Sequence, residues 1–290
     1  MNNRNATAAR GAFAAVAITF SALTASAADV KTVAVKSDSM KKEVKVVVIT
    51  PSAYADKKTK FPVVYFLHGF AGDQTVWGTQ SGLAPLADRY GMIFVSPDGA
   101  KSSWWIDSPV DAKMKYETFV SRELVKFIDS NYRTIADRRH RAITGESMGG
   151  HGALFNAIRH KDVFGAVASI YGGTDLRPFA GQWDLNLRLG DIKEHPDNWQ
   201  KFSAVDAAKT LRNGELAIFS IIGTSDFFLK VNREFHDLLS KNKVEHYYLE
   251  VRGHDEPHSF HTFQLRVNTA TPLVLNFFRN YFRDGTASLR

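Results

Sequence analysis

The run Gly145-Glu146-Ser147-Met148-Gly149 fits G-x-S-x-G and stands between a β-type run, Arg141-Ala142-Ile143-Thr144, and a helix-type run. A serine hydroxyl is a poor nucleophile at neutral pH. It needs a sharp turn that presents it, an adjacent base and N–H groups aimed at the oxyanion that forms on the attacked carbonyl. Ser147 is therefore the candidate nucleophile for acyl transfer. The glycines around it would let strand and helix approach closely about a strained serine. A base and an acid must come from elsewhere. An acid stands in Gly223-Thr224-Ser225-Asp226-Phe227, directly after the apolar run 216–222, and Asp226 there could orient an imidazole. Three histidines, His254, His258 and His261, follow the last strand-type run, and their residue types alone do not choose among them.

The oxyanion donors are expected from two loops. One is the residue after the nucleophile, Met148; the other lies in His68-Gly69-Phe70-Ala71-Gly72, which follows the buried-strand run Val63 to Leu67, and whose Phe70 N–H is the candidate. His68 and His151 read as structural hydrogen bonders.

Strand and helix signals alternate along the chain. Val33–Val35 and Val44–Thr50 suggest an edge hairpin. Strands are expected at 63–67, 92–96, 163–170, 216–222 and 246–251, and helices at 83–90, 116–131, 148–159, 231–239 and 273–282, the last opened by Pro272. Strands separated by helices imply a mostly parallel central sheet with helices on both faces, and ligands then gather beyond the carboxyl ends of the strands. Residues 174–214 break this rhythm with Pro178, Pro196, Trp183 and Trp199, and are expected to be a lid or substrate-loop insertion or a helical excursion with buried tryptophans.

At 290 residues and 44% apolar content, one large core is within reach. Arg4 and Arg10 precede an uncharged stretch ending in Ala25-Ser26-Ala27, the pattern of a signal peptide cleaved after Ala27. Residues 28–290 would then be an exported domain, secreted or periplasmic and not inserted in a membrane. Losing Arg4 and Arg10 lowers the formal net charge from +7 to +5. The lysine clusters 41–42 and 57–60 lack interleaved aromatics, so a nucleic-acid face is not expected. Cysteine is absent, which excludes disulfides and thiolate metal sites. No metal or organic cofactor is implied.

With Leu67-His68-Gly69, Ser103-Trp104-Trp105-Ile106-Asp107-Ser108-Pro109, Gly145 to Leu154, Gly223 to Phe227 and the histidine segment assembled, the chain resembles the esterase D-like family of the α/β-hydrolase superfamily from about Val44 to Phe282. That family includes S-formylglutathione hydrolases, feruloyl and acetylxylan esterases, siderophore trilactone esterases and mycolyltransferases of the antigen 85 type. The resemblance implies an α/β-hydrolase fold and a Ser147-Asp226-His258 triad. His258-Ser259-Phe260 with Phe263 matches the family's usual histidine pattern, whereas Gly253-His254-Asp255 resembles the form in some feruloyl esterases. It also implies that Trp104 or Trp105 lines a substrate pocket. Export argues against S-formylglutathione, a metabolite made inside cells, and favours a small-molecule or polysaccharide-linked ester. Acyl transfer to a sugar, cleavage of a siderophore trilactone and a non-catalytic binding role are the competing expectations.

Overall fold

A computed structural model describes residues 27–252 and 260–285. Its centre is an eight-stranded sheet in the order β1-β2-β4-β3-β5-β6-β7-β8. Strands β1 (Asp29–Ser37) and β2 (Lys42–Thr50) form the expected hairpin, and β2 pairs antiparallel with β4 (Ile93–Pro97). From β4 onward, β3 (Val63–Leu67), β5 (Arg141–Glu146), β6 (Ala166–Ile170), β7 (Ala217–Gly223) and β8 (Tyr247–Val251) run parallel. This is the α/β-hydrolase arrangement expected from the sequence.

The five strands β3 to β7 are buried at every position. A strand hidden on both sides needs cover on both faces of the sheet, which explains why these runs read as continuous apolar blocks and not as alternating patterns. The edge strand β8 differs, for its residues are half-buried or exposed. Its position is held from outside the ladder. His246 Nδ1–H donates to the Val244 carbonyl (2.7 Å), so its Nε2 must accept from His236 Nδ1–H, also at 2.7 Å. His236, on the helix Leu229–Lys241, stacks on Tyr248 with ring centroids 4.5 Å apart.

Two expectations about helices are corrected. Residues 116–131 do not form one uniform α-helix, because a π-helical segment, Phe119–Glu123, joins the α-helical pieces Tyr116–Thr118 and Leu124–Asn131. The closing helix does not begin at Pro272; it spans Phe260–Asp284 with Pro272 inside. Proline removes one backbone hydrogen bond. Ala270, Val274, Leu275, Phe277 and Phe278 are buried on either side of it, so packing carries the helix through the break.

Packing is close where β3, β5 and the helix Met148–Arg159 meet. A Cβ built on Gly149 would stand 2.0 Å from the Leu67 carbonyl oxygen and 2.8 Å from that of His68. Both obstacles are backbone, so no side chain can rotate away. Gly149→Ala is accordingly expected to destabilise the protein by about 2 kcal/mol or more, as overpacking of a core does. In thermal unfolding followed by circular dichroism this is a drop in Tm of roughly 4–8 °C for a chain of this size; an unchanged Tm would contradict the contact.

Candidate active site

Ser147 stands between the last residue of β5 and the first of the helix Met148–Arg159, with φ 58° and ψ −118°. A non-glycine residue with this backbone is strained, typically by about 1–3 kcal/mol. The strain is held by what surrounds it. Ser147 N–H donates to the Ile170 carbonyl at the end of β6 (3.0 Å), and the Ser147 carbonyl accepts from His151 N–H (3.0 Å). Strand and helix are thus fixed on both sides of one sharp turn, as the elbow reading anticipates. Met148, the first residue of the helix, belongs to the opening N–H groups that have no acceptor within the helix.

The second loop comes in beside it. A Cβ on Gly69 would lie 3.4 Å from Ser147 Cβ and 2.7 Å from Glu146 Oε2, so a side chain there would have to displace the Glu146 carboxylate. His68 fixes the orientation of the next peptide. The ring is fully buried; its Nε2 accepts from Gly99 N–H (2.7 Å), which leaves the proton on Nδ1 to donate to the Gly69 carbonyl (2.8 Å). Gly72 N–H reaches the same carbonyl at 3.2 Å. No cis peptide occurs among the described residues, so the Phe70 N–H leaves this peptide on the side opposite the anchored carbonyl. Burial lowers the His68 pKa, in keeping with a neutral ring that accepts at one nitrogen and donates at the other.

Asp226 follows the end of β7 and is buried. Its Oδ1 accepts from Phe228 N–H (2.8 Å), and its own N–H donates to the Gly223 carbonyl (3.2 Å), so a tight turn orients the carboxylate. The register Glu146↔Ile170 and Ile170↔Ile221 sets the ends of β5, β6 and β7 side by side. Ser147 and Asp226 thus leave the same edge of the sheet two strands apart, a lateral separation of roughly 10 Å. A histidine side chain is the size of group that bridges such a space. His254 and His258 lie outside the described residues, as does the side chain of His261.

Trp104 and Trp105 are both buried, at 1% and 0% exposure. Trp105 Nε1–H donates to the His68 carbonyl (3.1 Å), and its ring lies edge-on to the His68 imidazole, so it supports the loop 68–72 from beneath. Trp104 packs edge-on to His151 and donates through Nε1–H to the Trp183 carbonyl (3.1 Å). His151 is buried and structural, as its position predicts. Its pKa is pushed down to about 4 by burial, so the ring is neutral, with the Phe202 carbonyl 2.9 Å from Nε2 and that of Trp104 3.2 Å from Nδ1.

The aromatic surface that solvent reaches is elsewhere. Phe227, next to Asp226, is 36% exposed and stacks on half-buried Trp183, with centroids 5.1 Å apart and ring planes at 24°. Phe179 and Phe228 complete the cluster. Sequence reading did not single out Phe227 or Phe179. The usable signal was an aromatic pair directly after a strand-end aspartate. No group of three or more potential metal ligands occurs among the described residues.

Residues 37–272 match the model of the family described as "Putative esterase", and the chain belongs to that family. Esterase Rv1288 of Mycobacterium tuberculosis is 31% identical over 236 residues, covering 71% of this chain and 51% of that protein. The chain thus spans about half the length of this relative. An Acetyl esterase of Caldicellulosiruptor saccharolyticus is 25% identical, with 76% of this chain and 89% of that protein aligned. A solved ferulic acid esterase superposes with a TM-score of 0.74 at 26% identity, covering 89% of this chain and 99% of the other.

Replacing His68 removes the donor that orients the Gly69–Phe70 peptide. His68→Ala is expected to lower kcat at least tenfold with a smaller change in KM, since an oxyanion donor acts on the transition state more than on the bound substrate. Steady-state kinetics on a p-nitrophenyl ester separates the two constants; a pure KM effect would refute this role.

Burial also lowers the His246 pKa, with His236 adding to the effect, so His68, His151 and His246 are all depressed in the folded protein. The unfolded chain then binds more protons than the folded one as pH falls below about 6.5. Stability is expected to be full above that pH and to decline toward pH 4. Urea midpoints measured from pH 7.5 to 4 should show the decline, and it should be shallower in His151→Gln, which cannot take up the proton.

Proposed function

We propose that this protein is an exported serine ester hydrolase that works through an acyl-enzyme. The observation that carries the reading is the strained Ser147 at a strand–helix junction, flanked by the Met148 N–H and by the Gly69–Phe70 peptide whose carbonyl is turned away. Membership of an esterase family supports the chemistry, and the names of the acetyl and ferulic acid esterase relatives support carboxylic esters as substrates.

In this mechanism His258 takes the Ser147 hydroxyl proton as Oγ attacks the ester carbonyl, and Asp226 orients the imidazole and stabilises its cation. The N–H groups of Phe70 and Met148 receive the oxyanion. Collapse of the tetrahedral intermediate expels the alcohol, protonated by His258. Water, activated by the same histidine, then frees the acid and restores Ser147. All groups come from side chains and backbone of this chain. The N-terminal stretch ending at Ala27 supports export, which fits an acylated plant polysaccharide or a fragment of one as the source of substrate.

The test uses residues 28–290 with p-nitrophenyl acetate, methyl ferulate, acetylated xylan and S-formylglutathione. Wild type is expected to be labelled stoichiometrically at Ser147 by a fluorophosphonate and to hydrolyse at least one ester. Ser147→Ala and His258→Ala are expected to lower kcat by roughly 10⁴–10⁶, as losses of nucleophile and base do. His254→Ala should retain activity within a few-fold of wild type. An inactive His254→Ala beside an active His258→Ala would move the base to His254, and absence of both labelling and hydrolysis would overturn the enzymatic reading.

A further inference from the structure

We infer that Lys101 and Asp184 are positioning residues for the Phe70 N–H, and that the insertion 174–214 serves the site as a brace on the loop 68–72. This rests on the ester-hydrolase reading, in which the Phe70 N–H receives the oxyanion, and adds what holds that donor in place.

The loop is anchored differently on the two sides of Phe70. Before it, the buried His68 ring ties the chain at both nitrogens, to Gly99 N–H and to the Gly69 carbonyl. After it, Ala71 is exposed and has left-handed backbone, φ 62°, although it carries a side chain. Such a backbone persists only where the surroundings enforce it. The Lys101 carbonyl does so by accepting from Ala71 N–H at 2.8 Å. Lys101 follows Ala100, itself left-handed at φ 53°, whose N–H donates to Asp98 Oδ1 at 2.8 Å. The loop after β4 therefore fixes Phe70 from its far side.

The Lys101 side chain meets the same residue a second time. Its Nζ stands 5.2 Å from the centroid of the Phe70 ring and 3.0 Å from Asp184 Oδ2. A lysine side chain that is 63% exposed samples many rotamers unless a partner holds it, and ordering it has an entropic cost. Asp184 is a partner on a fixed mount. Its backbone and that of Trp183 are left-handed, φ 59° and 47°, and the Trp183 carbonyl accepts from buried Trp104 Nε1–H at 3.1 Å. The Lys101 ammonium holds the Asp184 carboxyl below the usual carboxylate range, so the pair is charged at neutral pH. Support thus runs from Trp104 through residues 183 and 184 to Lys101 and on to Phe70.

Energetics separates this role from general stabilisation. An ion pair with one exposed partner contributes little to the global fold, because water and salt screen it. A donor aimed at a developing oxyanion is different, since a small displacement weakens it in the transition state. Loss of the pair should therefore leave the protein folded and act on the chemical step.

The experiment compares wild type, Lys101→Met, Lys101→Arg, Asp184→Asn and the double variant Lys101→Met with Asp184→Asn on p-nitrophenyl acetate, with thermal unfolding of each. Lys101→Met keeps the backbone carbonyl bonded to Ala71 and isolates the ammonium. In Lys101→Met and in Asp184→Asn, kcat is expected to fall roughly fivefold with KM within about twofold, while Tm stays within about 2 °C of wild type. The double variant should be no slower than either single one, because both remove the same contact. Lys101→Arg should recover most of the rate. Sodium chloride at about 0.5 M should slow wild type toward Asp184→Asn and leave that variant unchanged. An unchanged kcat, an effect on KM alone, additive losses, or a fall in kcat matched by a fall in Tm would overturn the inference. Hydrogen exchange of the Ala71 amide gives a readout independent of catalysis: Asp184→Asn should speed it by roughly threefold or more, and unchanged exchange would also overturn it. If no ester is hydrolysed, the function has failed on its own, and the exchange arm still decides whether the pair braces the loop.

Discussion

Everything at the candidate site depends on how closely one helix can lie against the carbonyl of Leu67. Helix Met148–Arg159 enters so near to β3 that a single methyl group at Gly149 would overlap the backbone there. That approach places the opening N–H groups of the helix beside the loop at Gly69, and it forces the intervening residue into a backbone that serine does not otherwise adopt. The strain is local, but the restraint on it is spread over three strands. Ser147 N–H is tied to β6, the loop after β3 is tied by His68, and Trp105 braces His68 from below. A side chain so mounted is already ordered before any ligand arrives, which is the physical meaning of preorganisation.

The two buried histidines near this junction show why burial and function need to be considered together. His68 lies between an amide and a carbonyl that need a neutral imidazole, His151 faces two carbonyls, and both are pushed toward neutrality by loss of water. Neither can act as a general base, since both ring nitrogens of each are engaged with backbone.

Much of this was legible in the sequence because it rests on local constraints. The elbow needs small residues at fixed offsets from serine, and a fully buried strand needs an unbroken apolar run; both leave patterns a few residues long. Asp226 was legible for the same reason, as an acid just past such a run. Trp104 and Trp105 were harder. Their spacing announces aromatic bulk near the site, but which way a tryptophan ring turns depends on left-handed backbone at both positions and on glycines at 99 and 152 that make room for it. The open aromatic face at Trp183 and Phe227 joins residues 44 positions apart in the chain, and no local pattern reports that pairing. Pro272 misled for a simpler cause: proline usually marks a helix start, yet buried neighbours on both sides outweigh one missing hydrogen bond.

The sheet does not support its functional groups equally. Ser147 leaves a central strand that is covered on both faces and paired on both edges, whereas β8 pairs with β7 alone among the described residues and is half open to water. Strands of the second kind open at lower free energy than strands of the first. A histidine contact, an aromatic stack on Tyr248 and the Arg233–Glu250 ion pair stand in for the missing neighbour. Opening of the outer margin and loss of the fold are thus separable events: β8 can loosen while the junction at Ser147 stays packed between covered strands.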